Sequence, residues 1–203
     1  MELIPTLYKK YFIDTGIERL SLFNNIRNDY MCEKVLYPGS FVHISPSFYF
    51  QEVVYLDLDK RCKSVFSDSE TVEFIYSKKK YKQNPIVRYY EMSFEDEIKE
   101  EYEYFDLLIS QYSGFISKYC TKYLKRNGIL LVNDSHGDAT FAFNSGEYNF
   151  IAVVNEEENI ETMDLGQYFK YSRKKEVDMN EVIKKMKGPK YKKMANSYIF
   201  QRK

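Results

Sequence analysis

The sequence has no tryptophan, only two histidines and only three cysteines. The cysteines, Cys32, Cys62 and Cys120, are widely spaced and odd in number, which fits neither a disulfide framework nor a metal-binding motif. Two histidines and scattered thiols offer no cluster of zinc ligands, so we predict no metal site. This sparse use of cysteine is typical of the reducing cytoplasm, and we predict a cytoplasmic location.

Long apolar runs and an excess of one charge are also missing. No stretch approaches the roughly 20 apolar residues that a membrane-spanning helix needs, and the first residues lack the apolar core of a signal peptide. We therefore predict no membrane partner. Lys plus Arg (30) equals Asp plus Glu (30), so the net charge provides no general attraction to nucleic acid.

Three common nucleotide and hydrolase motifs are absent too. The sequence contains no G-x-x-x-x-G-K-[ST], which argues against a phosphate-loop NTPase. It contains no G-x-G-x-x-G, so a dinucleotide would lack its pyrophosphate-binding turn. It contains no G-x-S-x-G, which argues against an α/β-hydrolase.

What is present is an alternation of apolar strands and amphipathic helices. Five apolar segments have the length of strands buried on both faces, at residues 35–37, 53–56, 86–92, 107–109 and 129–132. Helical patterns separate them, which predicts a parallel sheet with right-handed crossovers. Two later strands, at residues 148–154 and 197–201, are expected to form an antiparallel edge pair. We therefore predict an α/β fold with a doubly wound, mostly parallel, seven-stranded Rossmann-like sheet in a single domain, residues 1–203.

Capping signals predict where several helices begin and end. Thr15 and Glu18 have capping-box spacing, which predicts a helix within an N-terminal extension at residues 1–30, before a core at 31–203. Ser93 is expected to cap an acidic helix at residues 95–104, and Asn127 with Gly128 to end a helix that begins near residue 115. Asp178 is expected to cap a basic helix that ends at residues 188–189.

The stretch at residues 35–59, VLYPGSFVHISPSFYFQEVVYLDLD, organises the predicted site. Gly39 lies in a tight turn after the first strand, where a ligand can approach the backbone closely. Asp57 ends the second strand, where a carboxylate can accept hydrogen bonds from two ribose hydroxyls. Asp59 lies on the same side by strand alternation, so it can also take the ribose role. Together these features predict a nucleoside-sized pocket at the carboxyl edge of the sheet.

The strand order is similar to that of the class I S-adenosylmethionine-dependent methyltransferases, over most of residues 31–203. In this resemblance VLYPGS matches the first motif, and VVYLDLD matches the second, in which Asp57 would hold the ribose. The family's first motif usually reads G-x-G-x-G, whereas here Gly39 stands alone. The resemblance implies S-adenosylmethionine as cofactor, bound in part by Tyr37, Pro38, Gly39, Ser40, Asp57 and Leu58. His43, which follows the first strand, is a further candidate for the cofactor site and a candidate base or hydrogen-bond donor, with ordering of its loop as the alternative.

The same resemblance extends to the third and fourth motifs. EMSF matches the third, with Ser93 and Phe94 near the adenine. LLISQYSGF matches the fourth, with Ser110, Gln111 and Tyr112 at the floor where the methyl group meets its acceptor. The fourth motif lacks N-P-P-Y, the signature of enzymes that methylate exocyclic amines of nucleic-acid bases, and only Tyr112 matches its last position.

Polar residues after the fifth strand are candidates for acid or base chemistry. Asp134 is expected to face the substrate as an acid or base, with a turn-capping role as the alternative. His136 is a second candidate base or hydrogen-bond donor, with a solvated turn as the alternative. The catalytic candidates are therefore Asp134, His136 and Tyr112.

Three functional hypotheses follow. The leading one is an S-adenosylmethionine-dependent methyltransferase with an unspecified small-molecule or macromolecular acceptor. The second is a non-catalytic binding or regulatory module of the same fold, which the missing glycines favour. The third is RNA binding through the basic segment from Lys170 to Lys203, for which a solvated basic surface is the alternative.

Overall fold

The computed structural model describes residues 4–171 and 177–203. The fold is α/β, with a mostly parallel sheet of eight strands that has antiparallel strands in its C-terminal part, as predicted. The strand beyond the expected seven is a two-residue segment. The chain divides into two compact units, Met1–Ile98 and Lys99–Lys203, which are described in turn. No helix within the described residues combines the length and apolar character needed to cross a bilayer.

The first unit contains three parallel strands in the order β3-β2-β1. Its elements are α1 (Thr6–Tyr8), a π-helical turn (Lys9–Ile13), α2 (Leu20–Tyr30), β1 (Lys34–Pro38), α3 (Pro46–Tyr49), β2 (Glu52–Leu56), α4 (Lys60–Phe66), α5 (Ser69–Lys78) and β3 (Ile86–Tyr90). All five residues of β2 are buried, which is why its sequence is an uninterrupted apolar run after Glu52.

The N-terminal capping box is not formed. Helix α2 begins at Leu20, and the Thr15 hydroxyl donates to the Tyr11 carbonyl at 2.7 Å. Glu18 instead accepts a 2.5 Å hydrogen bond from Tyr8, whose ring is fully buried and whose pKa is raised by that burial. The long-range contact therefore replaces the local cap, because a buried phenol must find a partner.

The second unit contains five strands in the order β4-β5-β8-β6-β7. Its elements are β4 (Phe105–Ser110), α6 (Ile116–Cys120) with a 3₁₀ turn (Thr121–Tyr123), β5 (Leu124–Val132), α7 (Asp138–Asn144), β6 (Tyr148–Val154), β7 (Ile160–Glu161), a 3₁₀ turn (Leu165–Gln167), α8 (Met179–Lys185) and β8 (Ser197–Arg202). Strand β8 pairs antiparallel with both β5 and β6. It packs with an aromatic cluster that includes Phe150, Phe169, Tyr198 and Phe200.

Two predicted features of this region are wrong. Residues 95–104 form turns rather than a helix, since their many glutamates repel one another at helical spacing. Asn127 and Gly128 do not end a helix but lie inside β5, where Asn127 has φ of 61°. A Cβ at Gly128 would come within 2.8 Å of the Lys125 carbonyl oxygen, so glycine is needed for this distortion of the strand.

Candidate functional site

The turn after β1 is closed onto the end of β2. Gly39 and Phe41 both have left-handed backbone angles, with φ of 64° and 47°. The Gly39 and Ser40 amides donate to the Leu56 carbonyl at 2.7 and 3.3 Å. The Phe41 amide donates to Oδ2 of Asp57 at 2.7 Å. Three successive amides of the turn are therefore satisfied by the last residues of β2 and the residue that follows.

The two carboxylates that sequence alternation leaves equivalent have different partners. Asp57 accepts from Phe41 through Oδ2 and from the Asp59 amide through Oδ1 at 2.8 Å. Asp59 caps helix α4 by accepting from the Arg61 amide at 2.9 Å, and its carboxylate pairs with the Arg61 guanidinium at 2.6 Å. The hydrogen bonds from Arg61 lower the pKa of Asp59 to about 2. Asp57 is thus the carboxylate that faces the turn.

An aromatic and cationic cluster supports the unusual conformation of Phe41. The Arg61 guanidinium lies 4.7 Å from the centroid of the Phe41 ring, a cation–π distance. The Tyr11 ring meets Phe41 edge to face at 5.0 Å, and its hydroxyl accepts from Arg61 at 3.1 Å. A non-glycine residue at positive φ carries strain, and these contacts help to hold it there.

His43 lies inside the first unit. Its ring stacks on Phe12 at 4.2 Å, with Nδ1 3.1 Å from the Tyr37 hydroxyl and Nε2 3.1 Å from the Glu18 carbonyl oxygen. The carbonyl can only accept, so Nε2 carries the proton and Nδ1 accepts from Tyr37. Burial lowers the pKa of His43 to about 3, so the ring is neutral at physiological pH. These contacts connect the turn to the N-terminal segment.

The other candidate cofactor residues of this unit differ in exposure. Pro38 and Ser40 are buried, whereas Leu58, next to Asp57, is 66% exposed. Ser93 accepts from the Glu95 amide at 3.2 Å, and Phe94 is half-buried. The exposed Leu58 side chain is an apolar surface beside the Asp57 carboxylate.

In the second unit, Asn133 joins the loops that follow β4 and β5. Its Oδ1 accepts from the Ser135 hydroxyl at 2.8 Å and more distantly from the Tyr112 amide at 3.4 Å. Its Nδ2 donates to Gln111 at 3.3 Å. Tyr112 is 62% exposed, and Nδ1 of His136 lies 3.0 Å from the Ser135 hydroxyl. The predicted residues Gln111, Tyr112 and His136 are therefore linked through one amide side chain that the motif analysis did not single out.

Asp138 is a buried carboxylate that sequence reasoning missed. It is 1% exposed, and it accepts from the hydroxyls of Ser110 and Ser117, each at 2.5 Å, and from the Ser117 amide at 3.1 Å. Burial raises the pKa of Asp138 to about 6, against the opposing effect of these hydrogen bonds. Ser110, expected at the methyl-transfer floor, is hydrogen-bonded to this carboxylate.

Asp134 is held by helix α7. It accepts from the Thr140 amide at 2.8 Å and from the Thr140 hydroxyl at 2.9 Å. The Tyr191 hydroxyl lies 3.0 Å from the Thr140 hydroxyl and continues the network. Burial raises the pKa of Asp134 to about 6, within the range useful for proton transfer near neutral pH. Asp134 therefore binds the first turn of α7 from six residues upstream, rather than capping the turn that it belongs to.

The turn in the first unit fits one half of S-adenosylmethionine better than the other. Each oxygen of Asp57 accepts one amide and retains a second lone pair, which suits ribose hydroxyls, and Leu58 offers an apolar surface for adenine. The methionine carboxylate requires donors, but the amides of Gly39, Ser40 and Phe41 already donate to β2 and Asp57. The residues therefore fit the nucleoside half.

Comparison with known proteins finds similarity in structure only. No protein-family model matches the sequence, and no curated protein matches it. A proposed S-adenosyl-L-methionine-dependent methyltransferase of Methanococcus maripaludis superposes with a TM-score of 0.51 at 14% identity, covering 97% of this chain and 89% of that one. The MccD protein superposes with a TM-score of 0.50 at 9% identity, covering 90% and 96%.

A third structure, the YcgJ protein of Bacillus subtilis, has 18% identity and a TM-score of 0.43, covering 62% of this chain. The chain spans 54% of the length of that protein. The two matches with the higher TM-scores extend over nine-tenths or more of this chain. The chain thus has the Rossmann-like fold of the class I S-adenosylmethionine-dependent methyltransferases.

Proposed function

We propose that the chain is an S-adenosylmethionine-dependent methyltransferase that binds its cofactor through the first unit. The observation that carries the proposal is the 2.7 Å hydrogen bond between the Phe41 amide and Asp57, which keeps a carboxylate against the turn after β1. Support also comes from the fold, which at least one proposed methyltransferase shares over most of its length.

In this proposal the residues have distinct tasks. Asp57 binds the ribose hydroxyls and Leu58 contacts the adenine. The cofactor supplies an activated methyl group for in-line displacement, so the protein mainly has to align donor and acceptor. Asp134 and His136 are proposed to remove a proton where the acceptor carries one, and Tyr112 to contact the acceptor. The raised pKa of Asp134 supports its part.

Titration with S-adenosylhomocysteine tests the proposal directly. We expect saturable heat with the natural chain and at least a tenfold weaker affinity for Asp57→Asn, because one charge-assisted acceptor is lost, worth about 1.5–3 kcal/mol. Asp59→Asn is the matched control: the same chemical change two residues away, on a carboxylate that is paired with Arg61. Equal affinities for all three proteins, or no binding at millimolar ligand, would remove the proposal.

A second candidate function is a non-catalytic binding module of the same fold. The observation that favours it is the engagement of the Gly39 and Ser40 amides by Leu56, since these donors would otherwise be available to the methionine end. Bound S-adenosylmethionine with no methyl transfer to small-molecule, protein or RNA acceptors would support the module. Turnover with any acceptor would exclude it.

RNA binding through the basic segment from Lys170 to Lys203 remains a prediction. Arg173, Lys174 and Lys175 lie outside the described residues. Deleting the whole segment would remove β8, so charge-neutralising changes at Lys187, Lys190, Lys192 and Lys193 are the better test. Unchanged RNA affinity in that variant would dismiss the hypothesis. The cytoplasmic location likewise remains a prediction, to be tested by fractionation.

A further inference from the structure

We propose that the first unit carries a second ligand site, for the phosphate and base of a nucleotide, at the amino ends of strands β1 to β3. The site is a cavity of about 310 Å³ whose lining includes Arg27, Lys80 and Lys82. This volume lies at the small end of the range for small-molecule sites. The proposal does not depend on methyltransferase activity, because it concerns a different part of the unit.

The position of the cavity follows from the strand register. Glu33 precedes β1, Gln51 precedes β2, and Gln83 lies just before β3, and all three line the cavity. The Glu52 amide donates to the Glu33 carbonyl at 3.1 Å, and the Ile86 amide donates to the Gln51 carbonyl at 2.8 Å. The cavity is therefore at the opposite strand ends from Asp57.

The basic loop at residues 79–82 is held in place by four hydrogen bonds. The Lys80 amide donates to the Phe48 carbonyl at 2.7 Å, and the Tyr81 hydroxyl donates to the Ser47 carbonyl at 2.9 Å. The Lys79 ammonium donates to the carbonyls of Tyr81 and Lys82 at 2.8 and 3.2 Å, which closes the loop on itself. Lys80 and Lys82, which this loop positions, both line the cavity.

The charge of the cavity is positive. Its lining has three cations against the single carboxylate of Glu33. Within the part of the chain that the structure describes, no carboxylate pairs with Arg27, Lys80 or Lys82 at ion-pair distance. Arg27 is half-buried, and its charge opposes the rise that burial causes in the pKa of Tyr81, as expected for a guanidinium beside the phenol. A partly desolvated, unpaired cation favours an anionic ligand.

The remaining lining is suited to a base rather than to a bare anion. The half-buried Tyr81 supplies an aromatic ring on which a base can pack, and the buried Tyr49 forms part of the wall. Gln51 and Gln83 supply amides that can both donate to and accept from base edges. Cations, aromatic rings and amides in one small cavity match the chemistry of a nucleoside phosphate, either free or within a single-stranded nucleic acid.

The test uses the full chain and three probes: inorganic phosphate, adenosine monophosphate and a ten-nucleotide single-stranded RNA. Calorimetry for the first two, and fluorescence anisotropy for the RNA, are compared between the natural chain and Lys80→Gln/Lys82→Gln. Both lysines are exposed, so the variant is expected to fold, and thermal melting checks this. The matched control is Lys60→Gln/Lys63→Gln in α4, with the same charge change at the other strand ends.

We expect at least one of the two nucleotide probes to bind, with an affinity about tenfold or more weaker in Lys80→Gln/Lys82→Gln and unchanged in the control. For RNA, the log–log slope of affinity against salt should fall by about 0.7 for each phosphate that the variant no longer neutralises. If only adenosine monophosphate binds, and Lys80→Gln/Lys82→Gln weakens that binding, the ligand is a free nucleotide. If only the RNA binds, and the same variant weakens that binding, the ligand is a strand. The proposal would be overturned if neither adenosine monophosphate nor the RNA binds, or if inorganic phosphate binds as tightly as adenosine monophosphate. It would also be overturned if Lys60→Gln/Lys63→Gln changes the affinity as much as Lys80→Gln/Lys82→Gln does.

Discussion

The amide of Phe41 donates a 2.7 Å hydrogen bond to Oδ2 of Asp57, across the carboxyl ends of two neighbouring parallel strands. The same carboxylate accepts from the Asp59 amide, so one side chain fixes both the turn after β1 and the start of α4. Any ligand that uses Asp57 therefore binds to a carboxylate that already organises the backbone around it.

The first prediction concerns that structural role. Asp57→Ala should lower the free energy of unfolding by about 1–3 kcal/mol, because two partly buried amides lose their acceptor. Urea denaturation measures the change. Asp14→Ala is the control, since the exposed pair of Asp14 with Lys9 should contribute less than about 1 kcal/mol. An Asp57→Ala protein as stable as the natural chain would show that the turn holds without the carboxylate.

The second prediction concerns His43 and acid. Its folded pKa of about 3 lies below the unfolded value near 6.5, so the unfolded chain binds more protons between these pH values. The stability from burying the neutral ring is complete above pH 6.5 and is lost as pH falls, by about 2 kcal/mol between pH 7 and 5. Urea denaturation of His43→Gln at both pH values should lack this loss. A parallel pH response in both proteins would contradict the assignment.

The third prediction concerns Asp138, whose contribution to stability changes with pH in the opposite direction from that of His43. The folded pKa of Asp138, about 6, exceeds the unfolded value near 3.9, so the folded chain binds more protons in that interval. This group therefore contributes stability that is complete at low pH and is lost as pH rises through 6, about 1 kcal/mol between pH 5 and 7. The difference in unfolding free energy between the natural chain and Asp138→Asn should change with pH by that amount. A difference independent of pH would show that Asp138 is ionised throughout.

The fourth prediction concerns Gly188, which packs against Asp134. A Cβ there would lie 2.0 Å from Oδ2 of Asp134 and 3.0 Å from the Thr140 hydroxyl oxygen. Gly188→Ala should therefore displace the Asp134 carboxylate and destabilise the protein by about 1–3 kcal/mol. Gly166→Ala is the matched control, since a Cβ at that position would have no neighbouring atom within 4 Å and its φ is ordinary. Thermal melting of both variants is the measurement, and equal melting temperatures would contradict the prediction.

The sheet was predictable because a strand that is buried on both faces has an uninterrupted run of apolar residues, which can be recognised from the sequence alone. Strand β2 shows this most clearly, with five buried residues in a row. Features that depend on distant partners were not predictable. The Thr15–Glu18 cap is lost because Glu18 pairs with Tyr8, and Asn127 with Gly128 form a strand distortion that resembles a helix end in sequence.

The local surroundings of the candidate site residues were predictable only in part. Asp57 follows a buried strand, and this position alone made it a candidate. Its bond to Phe41 could not be foreseen, because a phenylalanine at positive φ is rare and depends here on Arg61 and Tyr11. Asp138 was missed because its partners Ser110 and Ser117 are 28 and 21 residues away in sequence and carry no motif.

The position of β8 between β5 and β6 has a consequence for synthesis of the chain. While Ser197–Arg202 is still inside the ribosome, neither neighbouring strand has its partner along that side. Two apolar strand edges, at Leu130 and Ala152 among others, are then open to pairing with other nascent chains. A premature stop upstream of Ser197 would make that exposure permanent, and aggregation rather than a smaller folded product is the expected outcome.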